Sequence, residues 1–260
     1  MPRYARKKSN SGVYHVIVRG ANRQEIFHDE EDRMKFLDTW NKYKIKTEIL
    51  MYAWCLMGNH VHLLLKEGSE SISVVMKRVG VSYAKYYNWK YRTTGHLFQD
   101  RFKSENVEDR NYFLTAARYI HQNPVKAGVV HSPDEWKWSS CRGYYGKVVY
   151  PANLLDPNYL LNMFSPESKI ARMRFKEFNE RKNNDRCLED SDDNSRRLSD
   201  DEARMEIRKC LGSLEIPHVK SLQKEQRTNV LRKVKRIDGL SQRQAARILG
   251  ISPNLVFKAR

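Results

Sequence analysis

His60 and His62 stand two residues apart in Gly58-Asn59-His60-Val61-His62-Leu63-Leu64-Leu65. Side chains at i and i+2 of a strand leave the same face. The two imidazoles therefore project together while Val61 turns to the opposite layer. Such a pair can hold one divalent ion and leave positions open for a substrate. Two surface histidines on a strand are the plain alternative. A second stretch is Arg118-Tyr119-Ile120-His121-Gln122-Asn123-Pro124-Val125-Lys126-Ala127-Gly128. Tyr119 and Asn123 are four apart and share a helix face. The residue before proline disfavours helix, which predicts a helix ending at Asn123. A phenol can attack a phosphodiester and hold it as a phosphotyrosine ester. The developing negative charge must then be screened, and a nearby divalent ion can do so.

Other residues compete for these roles. Tyr83, Tyr86, Tyr87 and Tyr91 form a stripe at helical spacing that suits helix packing or base stacking better than catalysis. His121 lies off the Tyr119 face, where packing or a DNA contact fits better than metal ligation. His15 reads as strand core ahead of a rim contact. Arg19, Arg23, Arg101 and Lys103 are candidate phosphate clamps, each also readable as a solvated cation.

These residues need elements to position them. Val13, His15, Ile17 and Arg19 alternate with Tyr14, Val16 and Val18, which predicts a strand ended by Gly20. Asp29 to Lys44 has helical spacing and acids in its first turn. Glu48–Leu56 and His60–Lys66 read as strands around a Met57-Gly58-Asn59 turn. Ser71 to Arg92 reads as a helix opening at a Ser cap, Phe102–Val107 as a short strand, and Asp109–Gln122 as a helix. The order β-α-β-β-α-β-α predicts an α+β fold, the ferredoxin-like split βαβ pattern. That is an antiparallel sheet with helices on one face, and the Tyr119 helix could lie across the sheet carrying the histidines.

The chain has 260 residues and a formal net charge of +17, with 48 Lys and Arg against 31 Asp and Glu. This excess invites a polyanion partner, since such cations displace counterions from nucleic-acid phosphates. Hydrophobic residues make up 40%, enough for a core. The longest nearly unbroken apolar run, Ile49–Met57, falls far short of the ~20 residues that span a bilayer. No apolar stretch follows the basic Met1–Lys8, so no secretory signal is expected. Four dispersed cysteines without a CxxC pair argue against a disulfide framework or cysteine zinc site and for a cytoplasmic setting.

Residues 131–182 read as an aromatic-rich wrap with a helix opening at Ser165-Pro166-Glu167. Residues 183–199 read as an acidic linker: from Asp185 to Glu202 there are eight acidic residues and three basic ones. From 200 to 260 a helical region is expected. Ser241 caps a helix through Leu249, Gly250 stops it, and Ser252-Pro253 starts another. Ala246, Gly250 and Val256 have helix-turn-helix spacing, which makes Arg243, Arg247, Asn254 and Lys258 candidate DNA contacts.

With these residues in hand, the chain resembles the HUH-type single-tyrosine transposases, above all the REP-associated tyrosine transposases. The resemblance spans roughly Ser9 to Val130. It rests on Tyr14-His15-Val16 with Arg19-Gly20, on Gly58 to His62, on Phe98-Gln99-Asp100-Arg101-Phe102-Lys103, and on Tyr119 to Gly128. The C-terminal helices resemble, more loosely, the DNA-binding end of the replication initiator DnaA. The resemblance implies that residues 1–130 form the catalytic domain, with His60 and His62 on a metal, Mg²⁺ or Mn²⁺. It implies Tyr119 as nucleophile and Asn123 completing the metal site, where related proteins often carry Gln. It further implies a single-stranded DNA substrate with a hairpin near the cut, a covalent 5′-phosphotyrosine and a free 3′-hydroxyl. The ester keeps the bond energy, so strands can be rejoined without ATP, and the sequence has no GxxxxGK loop. Duplex contact by the C-terminal helices, no membrane partner, and a monomer or homodimer complete the expectation. A non-catalytic DNA-binding relative is the alternative. RNA binding ranks lower, because the aromatic signature of RNA-binding sheets is missing from the strands.

Overall fold

The computed structural model describes residues 7–21, 24–185, 187–188, 198 and 200–259. The chain divides into two compact units, 1–189 and 190–260. In the first, the elements run β1 (Val13–Arg19), α1 (Glu30–Thr47), β2 (Leu50–Leu56), β3 (His60–Lys66), α2 (Ile72–Tyr91), β4 (Lys103–Asn106) and α3 (Arg110–Lys126). The four strands form one sheet in the order β2-β3-β1-β4, each neighbouring pair antiparallel. The α+β order expected from the sequence is the one observed.

The pleat divides the apolar residues between two cores. Tyr14, Val16 and Val18 of β1 and Val61, Leu63 and Leu65 of β3 pack with Phe36, Leu37 and Trp40 of α1 and Val75, Val79 and Tyr83 of α2. On the opposite face, Val13, Ala53, Cys55 and Leu64 pack with Phe113, Ala116, Ala117 and Ile120 of α3. The expectation of helices on one face is thus corrected. Phe113, Ala116, Ala117 and Ile120 form a helical stripe, and only an apolar sheet face left open by α1 and α2 can bury it. A bulge between Met51 and Ala53 sustains this second core. Tyr52 is the extra residue, and its ring meets Phe113 at 5.1 Å between centroids.

Local boundaries differ in instructive ways. Asp29 caps α1 through a reciprocal box with Asp32. Ser71 makes no side-chain cap; Glu67 Oε1 accepts from the Ile72 N–H at 2.6 Å instead. The helix expected at Ser165 begins at Ser168, and Ser165 Oγ accepts from the Glu167 N–H. The Tyr119 helix does not end at Asn123. It runs a further turn through Pro124, which is buried, and Gly128 at φ 69° follows it. Packing of the proline ring outweighs the local bias before proline. Gly20 at the end of β1 leaves no room for a side chain, since a Cβ there would lie 2.2 Å from the Gln24 carbonyl oxygen.

Residues 131–182 include α4 (Cys141–Tyr144), α5 (Asn158–Leu161) and α6 (Ser168–Glu180). They cover the β2 edge. The Leu56 N–H donates to Trp138 O, the Ser140 N–H to Trp54 O, and the Met51 N–H to Asp156 Oδ2. An edge that would otherwise template pairing is closed. Much of 183–199 lies outside the described residues. Asp185, within the described part, forms a bidentate pair with Arg118 of α3 at 2.6 and 2.9 Å.

The second unit contains α7 (Asp200–Leu211), a 3-10 turn (Ile216–Ser221), α8 (Lys224–Val234), α9 (Gln242–Leu249) and α10 (Pro253–Lys258). Ile207, Leu231, Val234, Ala246, Leu249 and Val256 share its core. Ser241 Oγ caps α9 on the Gln244 N–H, Gly250 ends it at φ 64°, and Ser252 Oγ caps α10 on the Asn254 N–H.

Asp32 ties α1 to α2. It is fully buried and accepts from the His28 N–H at 2.8 Å, Tyr91 Oη at 2.7 Å, Tyr86 Oη at 3.1 Å and Lys90 Nζ at 3.0 Å. Asp32→Ala removes the acceptor of the His28 N–H and of the Tyr86 and Tyr91 hydroxyls, while Lys90 keeps Asp29 at 2.8 Å and Glu31 at 2.9 Å, so urea unfolding should show a loss of about 2 kcal/mol. A loss below about 1 kcal/mol would mean that the network contributes little.

Candidate active site on the α3 face

The parity of β1 and β3 builds the site. Across the sheet, Arg19 pairs with His60, Ile17 with His62, and His15 with Leu64. His15, His60 and His62 therefore all face α3. His60 and His62 rings lie 5.1 Å apart, and those of His15 and His62 5.5 Å. His15 Nε2 and His62 Nδ1 are 3.2 Å apart, one donating to the other. His60 Nδ1 lies 2.6 Å from Asn59 Oδ1. That oxygen can only accept, so Nδ1 carries a proton and Nε2 is the nitrogen left to face a ligand.

α3 brings Tyr119 to the same place. Its ring centroid is 5.8 Å from that of His62 and 6.0 Å from that of His15. Asn123, one turn later, is buried, and its Nδ2 donates to the Tyr119 carbonyl at 2.9 Å. That leaves Oδ1 as the amide's acceptor. Lys126, two turns on, holds its Nζ 4.4 Å from the centre of the Tyr119 ring.

Burial governs the electrostatics. It pushes the His15 pKa down to about 4. His62 is held well below the usual histidine range by burial first, then by His60, His15 and Arg19. Both imidazoles are neutral near pH 7, the form that binds a metal. Among the described residues no cluster of three or more His, Cys, Asp or Glu could hold one. A cation at His60 and His62 would thus draw further donors from the Asn123 amide, from solvent and from substrate. Two oriented imidazoles and an amide oxygen suit Mn²⁺, or Mg²⁺ with retained water.

The other candidates separate. Lys103 opens β4 opposite Ile17, on the histidine face, and is exposed. Arg101 lines a cavity of about 740 Å³ between α2 and residues 95–102, on the side of α1 and α2. Arg23 lies outside the described residues. Arg243, Arg247, Asn254 and Lys258 are exposed on α9 and α10 of the second unit. The tyrosine stripe packs on the α1 side: Tyr83 Oη donates to Ile26 O at 2.6 Å, and Tyr87 Oη meets His28 Nε2 at 2.8 Å. His121 is fully buried away from the site, against Tyr144 and Phe175, with Nε2 2.9 Å from Ser140 Oγ. His15, read from the sequence as strand core, is fully buried and also touches the site, whereas Asn59 and Lys126 are neighbours to which residue-by-residue reading gives no role. Strand parity signals His15 and a seven-residue helical spacing Lys126.

Residues 8–123 match the family model described as Transposase IS200 like. The matched segment runs from ahead of β1 to Asn123 on α3, so the sheet, the histidines and Tyr119 all fall within it. The chain is also similar to proteins named as REP-associated tyrosine transposases. A Haemophilus influenzae protein named as one is 24% identical over 166 residues, 58% of this chain and 92% of its own. The solved structure of a REP-associated tyrosine transposase bound to a REP hairpin has a TM-score of 0.50 at 20% identity, covering 60% of this chain and 92% of that one. A protein named as a transposase from Deinococcus radiodurans has a TM-score of 0.33 at 19% identity, covering 48% of this chain and 97% of that one.

His121 generates a pH prediction for the fold. Burial lowers its pKa from 6.5 to about 3. Between those values the unfolded chain binds the extra proton, so stability is full above pH 6.5 and is lost as pH falls toward 3. By pH 4 this one group should cost roughly 3 kcal/mol. Thermal unfolding of His121→Gln should fall less between pH 7 and pH 4 than that of the wild type. Equal falls would remove His121 as a source of acid lability.

Proposed function

We propose that the chain is a transposase that nicks single-stranded DNA and transfers the strand through a 5′-phosphotyrosine on Tyr119, with Mg²⁺ or Mn²⁺ as cofactor. One observation carries the reading: β3 and α3 of a single chain bring His62 and Tyr119 to 5.8 Å between ring centres. His60, His62 and Asn123 would hold the cation, which when bound screens charge on the scissile phosphate. Asn59 and His15 orient the two imidazoles. Tyr119 Oη attacks phosphorus, its proton leaves, and the bond to the 3′-oxygen breaks as that oxygen gains a proton. The buried setting of Tyr119 holds the phenol ready without a search among rotamers. Reversal by another 3′-hydroxyl rejoins DNA. Arg19 and Lys103 on the same face provide positive potential for the backbone.

Hairpin DNA is the favoured substrate, in keeping with the REP hairpin bound by the solved relative. The second unit is read as a helix-turn-helix that contacts duplex. α9 and α10 bury Ala246, Leu249 and Val256 around Gly250, and leave Arg243, Arg247, Asn254 and Lys258 outward.

Incubation with hairpin oligonucleotides and Mn²⁺ should give a covalent adduct on a denaturing gel. Tyr119→Phe should abolish it while leaving DNA binding nearly unchanged, and Tyr86→Phe should retain it. His60→Ala, His62→Ala or EDTA should each abolish cleavage. Full cleavage in EDTA would sink the metal role. Hairpin binding without any wild-type adduct would favour the non-catalytic alternative.

A fragment of residues 1–189 should still cut at raised concentration. Its duplex affinity should be lower and less steeply salt-dependent than that of the full chain, because phosphate contacts are lost. Unchanged duplex affinity would assign the second unit to packing or association instead.

A further inference from the structure

Lys126 is a cation with a defined seat. Its Nζ lies 4.4 Å from the centre of the Tyr119 ring and donates to the Asp185 carbonyl oxygen at 3.3 Å. That carbonyl is itself fixed. The Asp185 carboxylate pairs with Arg118 at 2.6 and 2.9 Å, both side chains are mostly covered, and the Arg118 guanidinium lies 4.1 Å from the centre of the Phe178 ring. Arg118, Tyr119 and Lys126 all belong to α3, so the strap around Asp185 and the helix hold one another. An ammonium over an aromatic face is attracted by the ring quadrupole. Here it also stands beside the phenol that meets His15 and His62, on a flexible four-carbon stem.

We propose that Lys126 is a positioning residue for strand cleavage: it fixes the Tyr119 ring before attack and then neutralises a non-bridging oxygen of the phosphotyrosine. This rests on the reading of Tyr119 as nucleophile. When Tyr119 Oη bonds to phosphorus and the 3′-oxygen departs with a proton, the phosphate stays on the ring as a diester with one negative charge. The scissile phosphodiester carries the same single charge before attack; attack brings it onto the Tyr119 oxygen, beside the Lys126 ammonium. Negative charge on the phosphoryl oxygens grows further as five oxygens crowd phosphorus in the transition state, so the contact is stronger there than with bound DNA and favours the step itself. Moving the ammonium from the Asp185 carbonyl to the phosphate needs only side-chain rotation.

The test uses full-length protein, Mn²⁺ and a pool of end-labelled single-stranded hairpin oligonucleotides with randomised flanks. Four proteins are compared: wild type, Lys126→Met, Lys126→Arg and Tyr119→Phe. Methionine keeps an apolar stem over the ring and removes the charge. Single-turnover adduct formation should slow about tenfold or more in Lys126→Met, while oligonucleotide affinity changes less than about threefold. Lys126→Arg should recover most of the rate, and the thermal midpoints should match. Equal adduct rates in Lys126→Met and wild type overturn the proposal and leave the nucleophile assignment standing. So does a rate loss that follows affinity, or one that arginine does not repair. A wild type that forms no adduct on Tyr119, with binding intact, overturns the nucleophile assignment and this proposal with it.

Discussion

The two-residue pleat of β3, read against β1, is the constraint on which the first unit depends. Val61, Leu63 and Leu65 must face α1 and α2, where each is fully buried. The alternate positions, His60, His62 and Leu64, then have no choice but to face α3. A register slip of one residue would put two imidazoles into the apolar core and turn three aliphatic side chains onto the site. The hydrophobic core thus enforces the geometry of the polar site, and a change at Val61 or Leu63 bears on His60 and His62 without touching them.

Burial then does the electrostatic work. His15 and His62 are kept neutral by desolvation, and their contact at 3.2 Å passes orientation from β1 to β3. Around this neutral centre the site carries cations at its rim, with Lys103 on β4 and Lys126 on α3. A phosphodiester would meet positive charge on approach and fixed, unprotonated nitrogen at the centre. The strap at Asp185 adds a restraint on α3 from outside the motif region, so the Tyr119 helix is held by residues that carry no motif of their own.

Much of this was legible in the amino-acid order. Alternation in Val13–Arg19 and His60–Lys66 gives the strands and their faces, because a period of two has one reading when one face is aliphatic. The pairing of Tyr119 with Asn123 follows from helical spacing alone. The side of the sheet taken by α3 was not legible, since Phe113, Ala116, Ala117 and Ile120 declare an apolar stripe without saying which face receives it. The extension through Pro124 depends on long-range burial of the ring, which no local rule contains. The seat of Lys126 requires Asp185, 59 residues away in sequence. Sequence spacing within one element is transparent to reading, whereas contacts between distant elements are not.

The central proposal is that His60, His62 and Asn123 hold a cation beside Tyr119 of the same chain. Paramagnetic broadening tests it without requiring catalysis. The protein is labelled with ¹³C at the tyrosine ring carbons, and the Tyr119 signal is assigned by its loss in Tyr119→Phe. Substoichiometric Mn²⁺ should broaden the Tyr119 signal first, leave Tyr86 on the far side of the sheet sharp, and lose its effect on Tyr119 in His62→Ala. Uniform broadening of all tyrosines, or a Tyr119 signal that stays sharp while Mn²⁺ binds elsewhere, would contradict the account.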